Sequence, residues 1–342
     1  MRAAVYQGHG KPLAISNVSD PAPGAGQVVV KVGRCGICGS DLHMAEGHLY
    51  SFAEGDVPGH EFAGEVVALG KGVEKIKMGD RVAVMPFISC GHCKACLSGK
   101  PSRCLKNKML GSSGIKGGFA EYALADAAWC VRLPATLGFD DGALVEPLAV
   151  SLRANICSGI KAGDKVLVIG AGAIGIAAAY WARKSGAGAI AVSATSTRRE
   201  NMAYAVGINS FITPQAGLSL AQQTVAALGA EADIVFECAG VPGSLDAAVS
   251  AVRRGGVVVA PGFCWSPDTF SPMMAMLKEA TIKFTNVYDL RDFEIAVDTL
   301  DRGNVEPRAM ITEVVDLDAV PQTFELLKAS NSHCKIQISP WA

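Results

Sequence analysis

Lys165-Val-Leu-Val-Ile-Gly170-Ala-Gly172-Ala173-Ile174-Gly175 is the stretch that decides the fold. Five residues rich in β-branched side chains run straight into a glycine turn, and an alanine-rich helical segment, Ile174 to Ser185, follows. The glycines have separate tasks: Gly170 makes a tight turn, Gly172 lets backbone approach a pyrophosphate, and Gly175 lets helix and strand pack closely. Free N–H groups and the helix dipole at Ala173 and Ile174 then favour an anion. A glycine triplet alone is weak evidence; between a strand and a helix it predicts dinucleotide binding.

The choice of dinucleotide is read about 20 residues further on, where NAD sites place an acid at the end of the second strand. Here the chain reads Ser193-Ala194-Thr195-Ser196-Thr197-Arg198-Arg199, and Ala194 stands in the acid's place. An acid would bind the ribose 2′-hydroxyl and repel a 2′-phosphate. Small hydroxylated residues with Arg198 and Arg199 do the opposite, so NADP(H) is expected over NAD(H). The blander reading makes the arginines a solvated helix start, which the helix dipole disfavours.

Outward from this turn, strands alternate with helices: Lys165 to Ile169, Ala189 to Val192, Arg198 to Val206, Ile234 to Glu237, Ser244 to Val252 and Gly256 to Val259. Such alternation gives parallel strands with right-handed crossovers, hence an α/β, doubly wound sheet over 151–285. The earlier part is different. Gln27 to Val32, Glu65 to Leu69 and Arg81 to Met85 are short β-branched runs punctuated by Pro, Gly and Asp, which suits a partly open β-barrel. A helix is predicted over Asp141 to Cys157, further helices near Arg291 to Leu300 and Pro321 to Lys328, and a last strand at Lys335 to Ile338. Residues 1–150 and 286–342 are assigned together to this second domain.

A length of 342 residues suits two domains, and a half-apolar composition with 38 glycines suits a compact enzyme. The formal charge of −1 supplies no field for nucleic acid or an anionic membrane, so a small molecule is the expected partner. The N-terminus lacks a signal-like apolar core, and the apolar stretch Lys165 to Arg183 is interrupted by glycines and short for a span. A cytoplasmic protein without a membrane segment is expected.

Eleven cysteines in such a chain are no disulfide framework. Cys90, Cys93, Cys96 and Cys104 are separated by two, two and seven residues, so one loop can wrap a tetrahedral ion in an all-thiolate shell without an open position. That is a structural zinc site. Free surface thiols and an iron–sulfur cluster are the competing readings, the second on ligand type alone. A dispersed set, Cys38, His60, Glu61 and Glu146, adds a thiolate, an imidazole and carboxylates, a mixed shell able to leave room for substrate. Singly, each has a duller explanation as a core thiol, a turn residue or a helix-start acid.

Taken in order, Cys38-Gly-Ser40-Asp41-Leu-His43, Gly59-His60-Glu61, the four-cysteine loop, Glu146-Pro147 and the glycine fingerprint resemble the zinc-containing medium-chain dehydrogenases, over nearly the whole chain. The resemblance implies a GroES-like catalytic domain holding two zinc ions and a Rossmann domain for the cofactor. Glu146 stands where alcohol dehydrogenases with a two-cysteine, one-histidine zinc carry the second cysteine, which is similar to the sorbitol and threonine dehydrogenase branch. That branch implies Cys38 and His60 as constant ligands, with Glu61 and Glu146 alternating. It also implies a proton relay through Ser40 and His43, Asp41 as the group that fixes the far nitrogen of His60, Lys335 at the cofactor phosphates, and a homotetramer or dimer with Gly256 to Gly262 at the subunit contact.

The expected activity is hydride transfer between NADP(H) and a secondary alcohol or ketone. A polyol is also possible for this branch. Two features pull away from sugars: Met44 stands where polyol-active relatives place a tyrosine, and Phe284-Thr-Asn-Val-Tyr288 lacks an arginine–tyrosine pair. The alternatives are an NAD-linked threonine- or polyol-type dehydrogenase, a zinc-free quinone or enone reductase, and a non-catalytic NADPH-binding protein. Loss of Ser40, His43 or a ligand would favour the last, and none is lost.

Overall fold

The computed structural model describes residues 1–47, 51–112 and 114–342. It divides into two compact units, Met1–Glu146 with Tyr288–Ala342, and Pro147–Val287.

The first unit is built on a seven-stranded sheet. Its order is Ile311–Asp316, Lys335–Ser339, Gln27–Gly36, Glu61–Leu69, Arg81–Val84 and Cys130–Arg132, with Tyr122–Asp126 also paired to Gln27–Gly36. Gln27–Gly36 is central, pairing on both sides: Val28, Val30 and Val32 are fully buried on one face, Val29 is buried on the other, and Lys31 is exposed. Phe62, Val66, Phe119, Phe324 and Ile338 complete that core. The predicted strand at Glu65 begins earlier, at Glu61. His60 and Glu61 are therefore not loop residues of equal standing: Glu61 is the first residue of a buried strand.

The second unit carries a six-stranded sheet in the order Ser210–Ile212, Ala189–Ser193, Lys165–Ile169, Ala232–Glu237, Val252–Ala260 and Thr281–Phe284, every pair parallel. In chain order this is 3-2-1-4-5-6, the doubly wound arrangement. Val166, Leu167 and Val168 are wholly buried, as expected of a strand covered on both faces. The helix Ala173–Lys184 packs with the later part of Phe139–Ser158 through polar bridges: Ser151 Oγ donates to the Ile174 carbonyl at 3.1 Å and Asn155 Nδ2 to Ala178 at 3.2 Å.

Two departures from the sequence reading have simple causes. The helix expected over Arg198 to Val206 opens as a 3₁₀ turn, Thr197–Arg199, and becomes α-helical at Glu200–Ala205, a common way for a helix to begin. The edge strands Ser210–Ile212 and Thr281–Phe284 carry no signal in the sequence, because three or four residues give too little alternation. No described helix is long and apolar enough to cross a membrane.

Candidate metal centres and active site

Cys38 caps the short helix Gly39–Ala45, and Asp41, the third residue of that helix, is fully buried. Its Oδ2 accepts the Cys38 N–H at 3.0 Å, and its Oδ1 lies 3.3 Å from His60 Nδ1. One carboxylate thus restrains two candidate ligands. It favours a proton on Nδ1 and turns Nε2, the other ring nitrogen, toward Ser40 Oγ at 3.5 Å. Burial opposes charge on His60, but Asp41 and Cys38 outweigh it and hold the pKa well above the ordinary histidine value.

The ligand atoms of Cys38, His60 and Glu61 all lie within 4.8 Å of one another. Glu61 is fully buried; the Lys335 ammonium lies 2.7 Å from both of its oxygens, bonding Oε1 and leaving Oε2 outside hydrogen-bond geometry. A thiol, an imidazole and an under-satisfied carboxylate converging in a buried space fit a divalent cation, and a cation would displace the proton held on His60. The carboxylate needs room: a Cβ on Gly36 would come 2.2 Å from Glu61 Oε2, so any side chain there would have to push the carboxylate out of its present position.

Glu146 is not in the mutually close group. It sits on the helix Phe139–Ser158 just before Pro147, and its Oε1 accepts the Tyr288 hydroxyl at 2.9 Å. Burial pushes the Glu146 carboxyl up to about 7, the nearby charge of Glu61 acting in the same direction and His60 against it. Tyr288, which no motif singled out, is 1% exposed, and burial together with Glu146 raises its phenol well above its ordinary value. The only sequence signal for it was negative, the missing arginine–tyrosine pair in the segment it ends.

Lys335, which the resemblance assigns to the cofactor phosphates, lies 3% exposed on the strand Lys335–Ser339, donating to Glu61 at 2.7 Å and to the Ile37 carbonyl at 3.1 Å. A buried ammonium needs a counter-charge, and Glu61 is the one at hand. Met44 is likewise 6% exposed within the hydrophobic core, so it carries no argument about substrate polarity. His43 is partly exposed, with Nδ1 3.6 Å from Glu46.

The second thiol set is compact. Cys90, Cys93, Cys96 and Cys104 place their sulfurs within 4.8 Å of one another. Tetrahedral zinc with Zn–S near ~2.3 Å requires sulfurs about 3.8 Å apart. The observed Cys90–Cys96 and Cys93–Cys96 separations, 3.9 and 3.5 Å, bracket that value. The backbone N–H of His92 leads the donors that hold Cys90 down at about 6, favouring the thiolate a metal binds. Ser89 Oγ accepts from Cys96 at 3.4 Å and from Trp129 Nε1 at 2.8 Å, tying the loop to its own unit.

In the second unit, Gly170 turns with φ of 101°, and a Cβ on Gly175 would meet the Gly170 carbonyl at 1.9 Å. A Cβ on Gly172 would meet no protein atom within 4 Å, so the space beside the start of the helix Ala173–Lys184 is open. Ser193 ends the second strand, the Ala194 N–H donates to the Ile212 carbonyl at 3.0 Å, and Thr195, Ser196, Arg198 and Arg199 follow in and beside the 3₁₀ turn. The sheet and this turn fit a dinucleotide.

Comparison with known proteins agrees with the fold. Residues 24–135 match the alcohol dehydrogenase GroES-like domain, and residues 173–302 match the zinc-binding dehydrogenase domain. The (R,R)-butanediol dehydrogenase of Bacillus subtilis is 33% identical, covering 99% of this chain and 100% of that protein. The probable D-xylulose reductase A of Aspergillus clavatus is 33% identical over 88% of this chain and 86% of its own length. Among solved structures, a zinc-binding dehydrogenase from Sinorhizobium meliloti bound to NADP superposes with a TM-score of 0.91 at 31% identity, and an Escherichia coli alcohol dehydrogenase complexed with NADH with 0.90 at 29%; each match covers 99% of both chains. The chain therefore belongs to the zinc-dependent medium-chain dehydrogenase/reductase family, in its sorbitol-type branch. It is an oxidoreductase of the alcohol dehydrogenase kind.

Proposed function

We propose that this chain is a two-zinc, NADP(H)-preferring dehydrogenase that interconverts a secondary alcohol or diol and its ketone. The observation that carries the reading is the convergence of Cys38, His60 and Glu61 under the single clamp of Asp41. Cys90, Cys93, Cys96 and Cys104 would hold the second, structural ion. When bound, the catalytic ion supplies a Lewis acid at the substrate oxygen and the nicotinamide exchanges a hydride with the substrate carbon.

The chain's own residues do the rest. Asp41 keeps the His60 ring oriented and its Nε2 lone pair available. Ser40 Oγ, beside that nitrogen, is the first group placed to take the hydroxyl proton, and His43, partly exposed near Glu46, is the group that releases it to solvent. Lys335, 2.7 Å from Glu61, supplies the counter-charge that lets a carboxylate stand buried beside Cys38 and His60. In the cofactor unit, Ala194 supports NADP(H), because no carboxylate stands where a 2′-phosphate would lie and Arg198 follows on an exposed turn.

The butanediol dehydrogenase relative favours a vicinal diol or its hydroxyketone, and the xylulose reductase relative a longer polyol. Rates with a panel of ketones, acyloins and polyols, each with NADPH and NADH and with zinc content measured in parallel, test the reading. The expected result is higher kcat/KM with NADPH, on a compact ketone, at two zinc ions per chain. A higher kcat/KM with NADH on every substrate would overturn the cofactor assignment.

A further inference from the structure

Each of the two carboxylates near the candidate catalytic ion has its own partner, and the partners differ in kind. Glu61, inside the mutually close group, meets an ammonium; Glu146, outside it, meets a neutral hydroxyl. Among the described residues Glu146 is the only hydrogen-bond partner of the Tyr288 hydroxyl.

Both ends of this contact are fixed. The Tyr288 ring packs against Phe87 and Phe293, with centroids 6.1 and 5.5 Å away, and the next residue, Asp289, begins the helix Leu290–Asp301 with a capping box. On the other side, the helix bearing Glu146 is anchored five residues earlier by Asp141, which is buried and held by Arg308 through bonds of 2.7 and 2.8 Å. The bond therefore dictates what Glu146 offers an ion: one oxygen is engaged, and one is left.

Catalytic zinc sites keep three protein ligands and an open position. Cys38, His60 and Glu61 already make three. A further carboxylate with both oxygens free and nothing to restrain it would compete with substrate for the remaining place. We propose that Tyr288 is a positioning residue that restrains Glu146: by engaging Oε1 it keeps this carboxylate from chelating the ion held by Cys38, His60 and Glu61, and so keeps a coordination position open for substrate. The proposal rests on the reading of those three residues as a zinc site.

Tyr288→Phe removes one oxygen and keeps the ring packing, so the fold is retained. Two measurements on the full chain test it: the visible absorption of the cobalt-substituted protein, and the rate at which the zinc protein surrenders its catalytic ion to a chromogenic chelator. Tetrahedral cobalt absorbs more strongly than five- or six-coordinate cobalt, and the four-thiolate site contributes equally to all variants and cancels in difference spectra. In Tyr288→Phe the cobalt bands should weaken and zinc release should slow about tenfold, the scale on which hydrogen-bond partners of ligands act. Both changes should vanish in a Glu146→Gln background, where the amide is a poor chelator. Unchanged spectra and rates, faster zinc release, or the same change with Gln at 146 would each overturn the proposal. If Cys38→Ser retains as much zinc as the unaltered protein, the metal reading fails and the proposal falls with it.

Discussion

The ammonium of Lys335 and the carboxylate of Glu61, 274 residues apart in sequence, form an ion pair 2.7 Å long with 3% and 0% of the two residues exposed. Removing one partner of such a pair leaves an uncompensated buried charge, a cost of ~3–5 kcal/mol. Lys335→Met should therefore destabilise the zinc-free protein strongly. Adding zinc should return part of that stability, because the cation compensates the same carboxylate. Urea unfolding with and without zinc reads both effects, and a midpoint unmoved in the zinc-free state would show that the pair is not desolvated.

Glu146 gives a pH dependence whose sign is fixed. Its folded pKa of about 7 lies above the ordinary value of 4.5, so in the metal-free protein the folded state binds the proton more tightly than the unfolded one. The resulting stability is fully present below pH ~4.5 and is lost as pH rises toward ~7. A swing on the order of 3 kcal/mol follows from a shift of that size. In Glu146→Gln the decline over this window should flatten; a metal-free variant that tracks the unaltered protein across the window would count against the raised value.

The two thiol sets should respond differently to the same chemical change. Cys38→Ser is expected to lose one zinc ion and nearly all turnover while NADPH still quenches tryptophan fluorescence. Cys93→Ser is expected to lose the other ion and to unfold at lower temperature. Atomic-emission zinc counts alongside turnover separate the cases. Full activity in Cys38→Ser would remove the metal from the mechanism.

Cofactor choice is testable at one residue. Ala194→Asp restores a carboxylate at the end of the strand Ala189–Ser193, where it would accept from a ribose hydroxyl and repel a phosphate. Gaining or losing one hydrogen bond to a charged group shifts kcat/KM by about tenfold or more. The NADPH-to-NADH ratio should fall by at least that factor. A ratio that holds or rises would transfer the preference to some other part of the loop.

What could be read from sequence was what is local. The strand at Lys165, the glycine turn and the thiol loop each lie within a dozen or so residues, where spacing alone implies geometry. Ser219 and Gln222 form a capping box at the start of the helix Leu220–Leu228, a local signal of the same kind. The partners of the two carboxylates were beyond reach. Tyr288 is 142 residues from Glu146, and the antiparallel pairing of Lys335–Ser339 with Gln27–Gly36 is what carries Lys335 to Glu61. The pairing follows from desolvation: a lysine on a strand buried at every residue must find its counter-charge inside, and no local pattern in the sequence says where.

Gly36 sets a rule for anyone redesigning this centre. A methyl group there would collide with Glu61, so residues 36 and 61 form one design variable although 25 positions separate them. A library that randomises position 36 alone should yield almost nothing that holds the metal. Pairing a small side chain at 36 with the shorter aspartate at 61 should recover members, with the acid drawn back from the ion by one methylene.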